Sequence, residues 1–138
     1  MGLPENVEVQ PNLPDALTGA DLAIAKSGTI TLECAYFGVP SVVMYKTSAL
    51  TYAVAKSIVQ VKWAAMPNIL GNEEIFPEYI QSEATGTNIA AAALELMNDT
   101  ARRTRVQEKL RDIRASLGTA GASGRAAEAV FRLLDSKE

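Results

Sequence analysis

The sequence predicts an α/β fold: a partial, doubly wound parallel sheet with additional C-terminal helices. Two apolar runs carry that expectation, Asp21-Leu22-Ala23-Ile24-Ala25 and Ser41-Val42-Val43-Met44-Tyr45, with one helix-length segment between them. Such near-continuous apolar runs suit strands buried on both faces, as in a parallel sheet clad by helices. The junction is the third observation. Ala25-Lys26-Ser27-Gly28-Thr29 is a small-residue turn that opens directly into a helix.

Each element follows from a local signal. Val7-Glu8-Val9-Gln10 alternates and predicts a brief strand, closed by Pro11 and Pro14. Asp15 to Gly19 predicts a helical turn ending at glycine. Strand 21–25 leads into a helix over 28–37, which Gly38 stops, and Pro40 precedes the strand over 41–45. Ser48 is the expected N-cap of a helix over 49–59. From 60 onward the pattern is irregular, through Met66-Pro67-Asn68-Ile69-Leu70-Gly71 and Phe76-Pro77-Glu78-Tyr79-Ile80-Gln81. Thr87-Asn88 opens an alanine-rich helix that ends near Met97, and Asn98-Asp99-Thr100 separates it from a helix over 101–117. Gly118, Gly121 and Gly124 read as a flexible joint. A last helix over 123–136 is expected to bury Ala126, Ala127, Val130, Leu133 and Leu134. Residues 1–85 thus read as a partial nucleotide-binding α/β sheet and 86–138 as helices packed on it, a single truncated domain overall.

Composition narrows the chemistry. At 138 residues and 48% hydrophobic the chain can bury a core, and its net charge of −3 makes no case for nucleic acid. Residues 1–100 hold 4 basic and 11 acidic side chains, whereas 101–138 hold 9 basic and 5 acidic. That surplus, including Arg102, Arg103, Arg105, Lys109, Arg111 and Arg114, reads first as a solvated helix face and second as a surface facing anionic lipid. The apolar stretch 49–70 is interrupted by Lys56 and Lys62 and is too broken to span a membrane, though Tyr52 and Trp63 flank it as a surface-facing helix would. The chain has no histidine and one cysteine, Cys34, so an internal disulfide, histidine bases and a zinc site are all excluded. Cys34 reads as a small core residue. The N-terminus lacks the basic and apolar regions of a signal peptide, so a cytoplasmic location is expected.

The turn is where chemistry is expected. A strand, a small-residue turn and a helix N-terminus converge unpaired N–H groups and the helix dipole on one point, which favours an anion. The Ser27 hydroxyl can cap the helix, Gly28 lets backbone approach a ligand closely, and Thr29 adds a donor. Glu33 lies one turn further on, between Leu32 and Cys34; a carboxylate buried there would need partners, and a ribose diol supplies two donors. The same turn also occurs as a plain N-cap with no ligand.

Three ordered motifs resemble the lipid-A-disaccharide synthase family. They are Lys26-Ser27-Gly28-Thr29 through Leu32-Glu33 with Gly38-Val39-Pro40-Ser41-Val42-Val43-Met44-Tyr45-Lys46; Pro67-Asn68-Ile69-Leu70 with Glu74, Pro77-Glu78 and Gln81; and Gly121-Ala122-Ser123-Gly124-Arg125-Ala126-Ala127. The resemblance implies half of a GT-B-type inverting glycosyltransferase, whose two Rossmann-like domains flank a cleft. It implies transfer of 2,3-diacylglucosamine from UDP to 2,3-diacylglucosamine 1-phosphate, with no metal and no cofactor. Ser27, Gly28 and Thr29 would line the UDP diphosphate and Glu33 would accept from the ribose. Tyr45, Lys46, Asn68, Glu78 and Gln81 would lie on the donor-sugar side, and Gln10-Pro11-Asn12-Leu13 beside the uracil. The family's catalytic base belongs to an N-terminal acceptor domain absent from this chain, as is the first strand of the donor domain. The chain therefore reads as a fragment, inactive alone, that forms a homodimer or swaps elements to cover its exposed edge, and belongs to an enzyme peripheral at the inner membrane. Two alternatives remain open: a piece of another UDP-sugar transferase or epimerase, such as the one that adds N-acetylglucosamine to peptidoglycan precursors, or a non-catalytic interaction module of the same fold.

Overall fold

The computed structural model describes residues 4–49, 51–52, 62–118 and 121–135. Its centre is a three-stranded, all-parallel sheet, with β1 (Ala23–Lys26), β2 (Ser41–Tyr45) and β3 (Glu78–Ile80) side by side in that order. Ala23 pairs with Ser41 through to Lys26 with Met44, and Val43 pairs with Glu78 through to Tyr45 with Ile80. All three strands therefore end at one edge, the edge at which open α/β sheets bind ligands.

Helices follow each strand. α1 (Leu13–Leu17) precedes β1, and α2 (Thr29–Phe37) makes the crossover from β1 to β2. Gly38, at φ 72°, ends α2 in the left-handed region where glycine is favoured. α3 (Met66–Gly71) and a 3-10 turn (Gln81–Glu83) flank β3, and α4 (Gly86–Asn98), α5 (Thr100–Ser116) and α6 (Ala122–Asp135) complete the described chain. α2 packs against α3 and α5, while α4 packs against β2 and α5. The core gathers Cys34 and Ala35 of α2, Val42 and Val43 of β2, Phe76, then Leu96 and Leu110 from the two long helices.

Several expectations need correction. Residues 7–10 form no strand: they are exposed, and the sheet begins at Ala23. Alternation alone does not supply the ladder partner that a strand requires. The reading of both apolar runs as doubly covered holds only for β2, where the successive residues Ser41, Val42 and Val43 are all buried. On β1 Ala25 is buried but Ile24 is 55% exposed, so one face of that strand is bare. The segment from 60 to 85 contains α3 and β3, not irregular chain alone. Glu78–Ile80 is too short and too polar to announce itself, and pairing with β2 makes it a strand. The last helix forms near the expected place but buries nothing, and Val130, Leu133 and Leu134 are all more than half exposed. Ser48 accepts from Thr51 N–H at 3.1 Å as an N-cap should, but the expected helix beyond Tyr52 lies largely outside the described residues.

Candidate functional site

The turn sits at the carboxyl edge. Ser27 N–H donates to Met44 O at 2.9 Å, carrying the β1–β2 ladder one residue past the strand before the chain swings into α2. Gly28 is the N-cap of α2 at φ 139°, ψ −162°, and no side chain caps the helix. Thr31 N–H and Thr31 Oγ1 both donate to Gly28 O, at 3.1 and 2.7 Å. The first N–H groups of α2, on Thr29 and Ile30, have no acceptor within the helix by its geometry. They lie open at the positive end of the helix dipole.

Ser27 does not cap α2. Its Oγ donates instead to Ala64 O at 2.8 Å, across to the segment leading into α3. The intervening glycine occupies the capping position, so the serine is displaced to the neighbouring strand end. Glu33 is exposed, contrary to the expectation of a buried carboxylate. Thr31, Cys34 and Ala35 take the core face of α2, which turns position 33 outward. It remains one helical turn from Thr29, and both line a shallow groove of ≈ 280 Å³ with Leu32, Tyr36, Phe37 and Leu117.

Tyr45 ends β2 half-buried, and Lys46 follows it exposed. Lys26, part of the turn motif, adds a cation at this edge. It ends β1 with Nζ 5.8 Å from the Tyr45 ring centre. Lys26 and Lys46 thus lie at the carboxyl ends of adjacent strands, Lys26 opposite Met44 in the ladder and Lys46 just past Tyr45. Gln10 is exposed and bonded to Glu8, while Leu13 opens α1 and packs partly against the core.

Asn68 and Glu78 come together in one hydrogen-bonded cluster, whereas Gln81 bonds separately to Thr47. Asn68 is fully buried: Nδ2 donates to Phe76 O and Glu78 Oε1, each at 2.8 Å, and Oδ1 accepts from Ile75 and Phe76 N–H at 2.9 and 2.8 Å. The Glu78 carboxylate accepts from Ala64 and Ala65 N–H at 2.8 and 2.9 Å. Gln81 clamps Thr47, accepting from its N–H at 2.8 Å and donating to its O at 3.1 Å. Cys34 is buried, and desolvation pushes its thiol above the usual range, against a smaller opposing pull from the Ser41 hydrogen bond. That is the environment of a packing residue, not a nucleophile.

The basic residues of α5 behave as a solvated face. Arg102 pairs with Glu95, Lys109 reaches Glu73 at 2.7 Å, and Arg114 lies 4.6 Å over the Tyr36 ring. No helix among the described residues is long and apolar enough to cross a membrane.

Comparison with known proteins adds what geometry alone does not. Residues 5–130 match the family model described as lipid-A-disaccharide synthetase. The lipid-A-disaccharide synthase of Synechocystis sp. is 39% identical over 125 residues, which is 89% of this chain and 32% of that protein. Those of Syntrophus aciditrophicus and Nitrosococcus oceani are 39% and 40% identical, over 87% and 88% of this chain and 31% of each relative. The chain spans about a third of the length of the curated relatives it matches. The match includes the turn, α2 and the whole β3 region, and by it the chain belongs to the lipid-A-disaccharide synthetase family.

Proposed function

We propose that this chain is the UDP-sugar donor-binding part of a lipid A disaccharide synthase, a glycosyltransferase that moves 2,3-diacylglucosamine from UDP to 2,3-diacylglucosamine 1-phosphate. The observation that carries the reading is the family match over residues 5–130, which includes an uncapped helix N-terminus at the carboxyl edge of a parallel sheet. The N–H groups of Gly28, Thr29 and Ile30 would hold the diphosphate, with Lys26 and Lys46 nearby to balance its charge. Ser27 would contribute through its place in the turn, its hydroxyl proton being engaged by Ala64 O. Glu33, on the same face as Thr29, would accept from the ribose hydroxyls, and Tyr45 would flank the donor-sugar side. In transfer, these donors would stabilise the departing UDP without a metal. The catalytic base, an acceptor domain and contact with the cytoplasmic face of the inner membrane belong to the whole enzyme in this proposal.

A titration of UDP against ADP, followed by protein NMR, tests the reading. Resonances from Ser27 to Glu33 should move with UDP and not with ADP, with a dissociation constant from high micromolar to millimolar, roughly 4–6 kcal/mol. An equal response to both would reduce the site to a helix end that accepts any anion.

A further inference from the structure

We propose that Glu78, Asn68 and Gln81 are positioning residues that brace the loops at the carboxyl edge of the sheet, and that Glu78 and Asn68 do so without touching the sugar. For its ligand, the inference rests on the donor-binding reading; its geometric half stands without it.

A side-chain amide offers two N–H groups and two acceptor sites. Asn68, with no exposed surface, uses all four, on Ile75 N–H, Phe76 N–H, Phe76 O and Glu78 Oε1. Nothing is left for a hydroxyl. Both Glu78 oxygens face backbone: Oε2 accepts from Ala64 N–H, and Oε1 from Ala65 N–H and Asn68 Nδ2. The next amide, on Met66, donates to Thr31 Oγ1 at 3.2 Å, and Ala64 O accepts from Ser27 Oγ.

The segment 64–66 is therefore gripped from two sides. Glu78 and Asn68 hold it from β3 and α3, while Ser27 and Thr31 hold it from the turn and α2. Through this segment the Glu78 carboxylate is mechanically linked to Gly28, whose carbonyl accepts from Thr31. Gln81 repeats the device one strand over. Its backbone sits at φ 53°, a left-handed value rare for a side-chain-bearing residue, and its amide fixes both backbone groups of Thr47 beside Lys46.

The test is Glu78→Gln in this chain, read by amide hydrogen exchange and by titration with UDP and UDP-N-acetylglucosamine. Losing one of two acceptor oxygens should speed exchange at Ala64 or Ala65 by about tenfold, the worth of a charge-assisted bond. Gly28 and Thr29 resonances should move in the unliganded protein, with exchange at Val42 to Met44 unchanged. Both nucleotides should weaken by the same factor. Loss confined to UDP-N-acetylglucosamine would make Glu78 a sugar contact and overturn the proposal, as would unchanged exchange and unchanged turn resonances. If the wild type bound neither nucleotide, the donor-binding reading would fail while the exchange arm still decided the brace. Should Glu78→Gln not fold, Gln81→Ala provides the second variant, with faster exchange expected at Thr47 and no change there overturning the brace.

Discussion

At Gly28 the backbone adopts φ 139° and ψ −162°, a region open in practice to glycine alone. A Cβ added there meets no atom within 4 Å, so any penalty comes from the backbone and not from crowding. Gly28→Ala should lower stability by about 1–3 kcal/mol in urea unfolding. Gly86→Ala is the control: its site is equally open, lies in the first turn of α4 and has no positive φ, so it should be neutral or stabilising by about 0.4–1 kcal/mol. Opposite signs at two open glycines would isolate backbone conformation as the cause. Cys34 carries a second prediction. Burial favours its protonated form, so its contribution is complete below the ordinary thiol range and declines as pH rises through the elevated value. At pH 8 the native chain should resist Ellman's reagent, and it should react fully in urea. The turn residues Ser27, Gly28 and Thr29 were legible because the signal is local. The outward face of Glu33 and the bonds of Asn68 to residues 75–76 were not, since they depend on which helix face the core takes and on contacts across a loop.

Among the elements, β2 and α2 were read almost residue for residue, because an apolar run and a glycine stop are strong local signals. α3 was missed although Pro67 sits in its first turn, a recognised helix start; six residues ending in glycine resemble a turn when read alone. The starts of α4 and α5 rest on side-chain caps, with Thr85 accepting from Asn88 N–H and Asp99 from Arg102 N–H. α5 is tied to the loop after α3 by Lys109 and Glu73, an exposed pair that holds the lysine's proton more tightly than usual. α6 differs from its neighbours. It is amphipathic, with Ala126, Ala127, Val130, Phe131, Leu133 and Leu134 on one side, yet none of its residues is buried. At concentrations low enough to keep the chain monomeric, ending it at Gly118 should therefore leave the midpoint of thermal unfolding unchanged, whereas Leu110→Ala in α5, where the side chain is fully buried, should cost about 2–5 kcal/mol. A large drop on removing α6 would mean that it stabilises the core after all.

On the scale of the whole molecule, exposed apolar side chains occur along much of the described chain, and α6 carries four of them within five residues. Val130, Phe131, Leu133 and Leu134 are each 56–66% exposed on α6, and Ile24 is 55% exposed on β1, an outer strand of the described sheet. The sequence pattern marks Ile24, Val130, Leu133 and Leu134 as interior, and on sound grounds: periodicity reports that a face is apolar, not what covers it. An apolar helix face such as that of α6 is rarely left in water. The homodimer proposed from the sequence would cover that face, with α6 of each copy packed on its partner. Light scattering should then report a mass that rises from monomer to dimer with concentration. Truncation at Gly118 should abolish the rise while leaving the fold, read by amide spectra, intact. A full-length chain that stays monomeric at millimolar concentration would refute self-association, and the apolar face of α6 would then have to be covered by something other than a second copy.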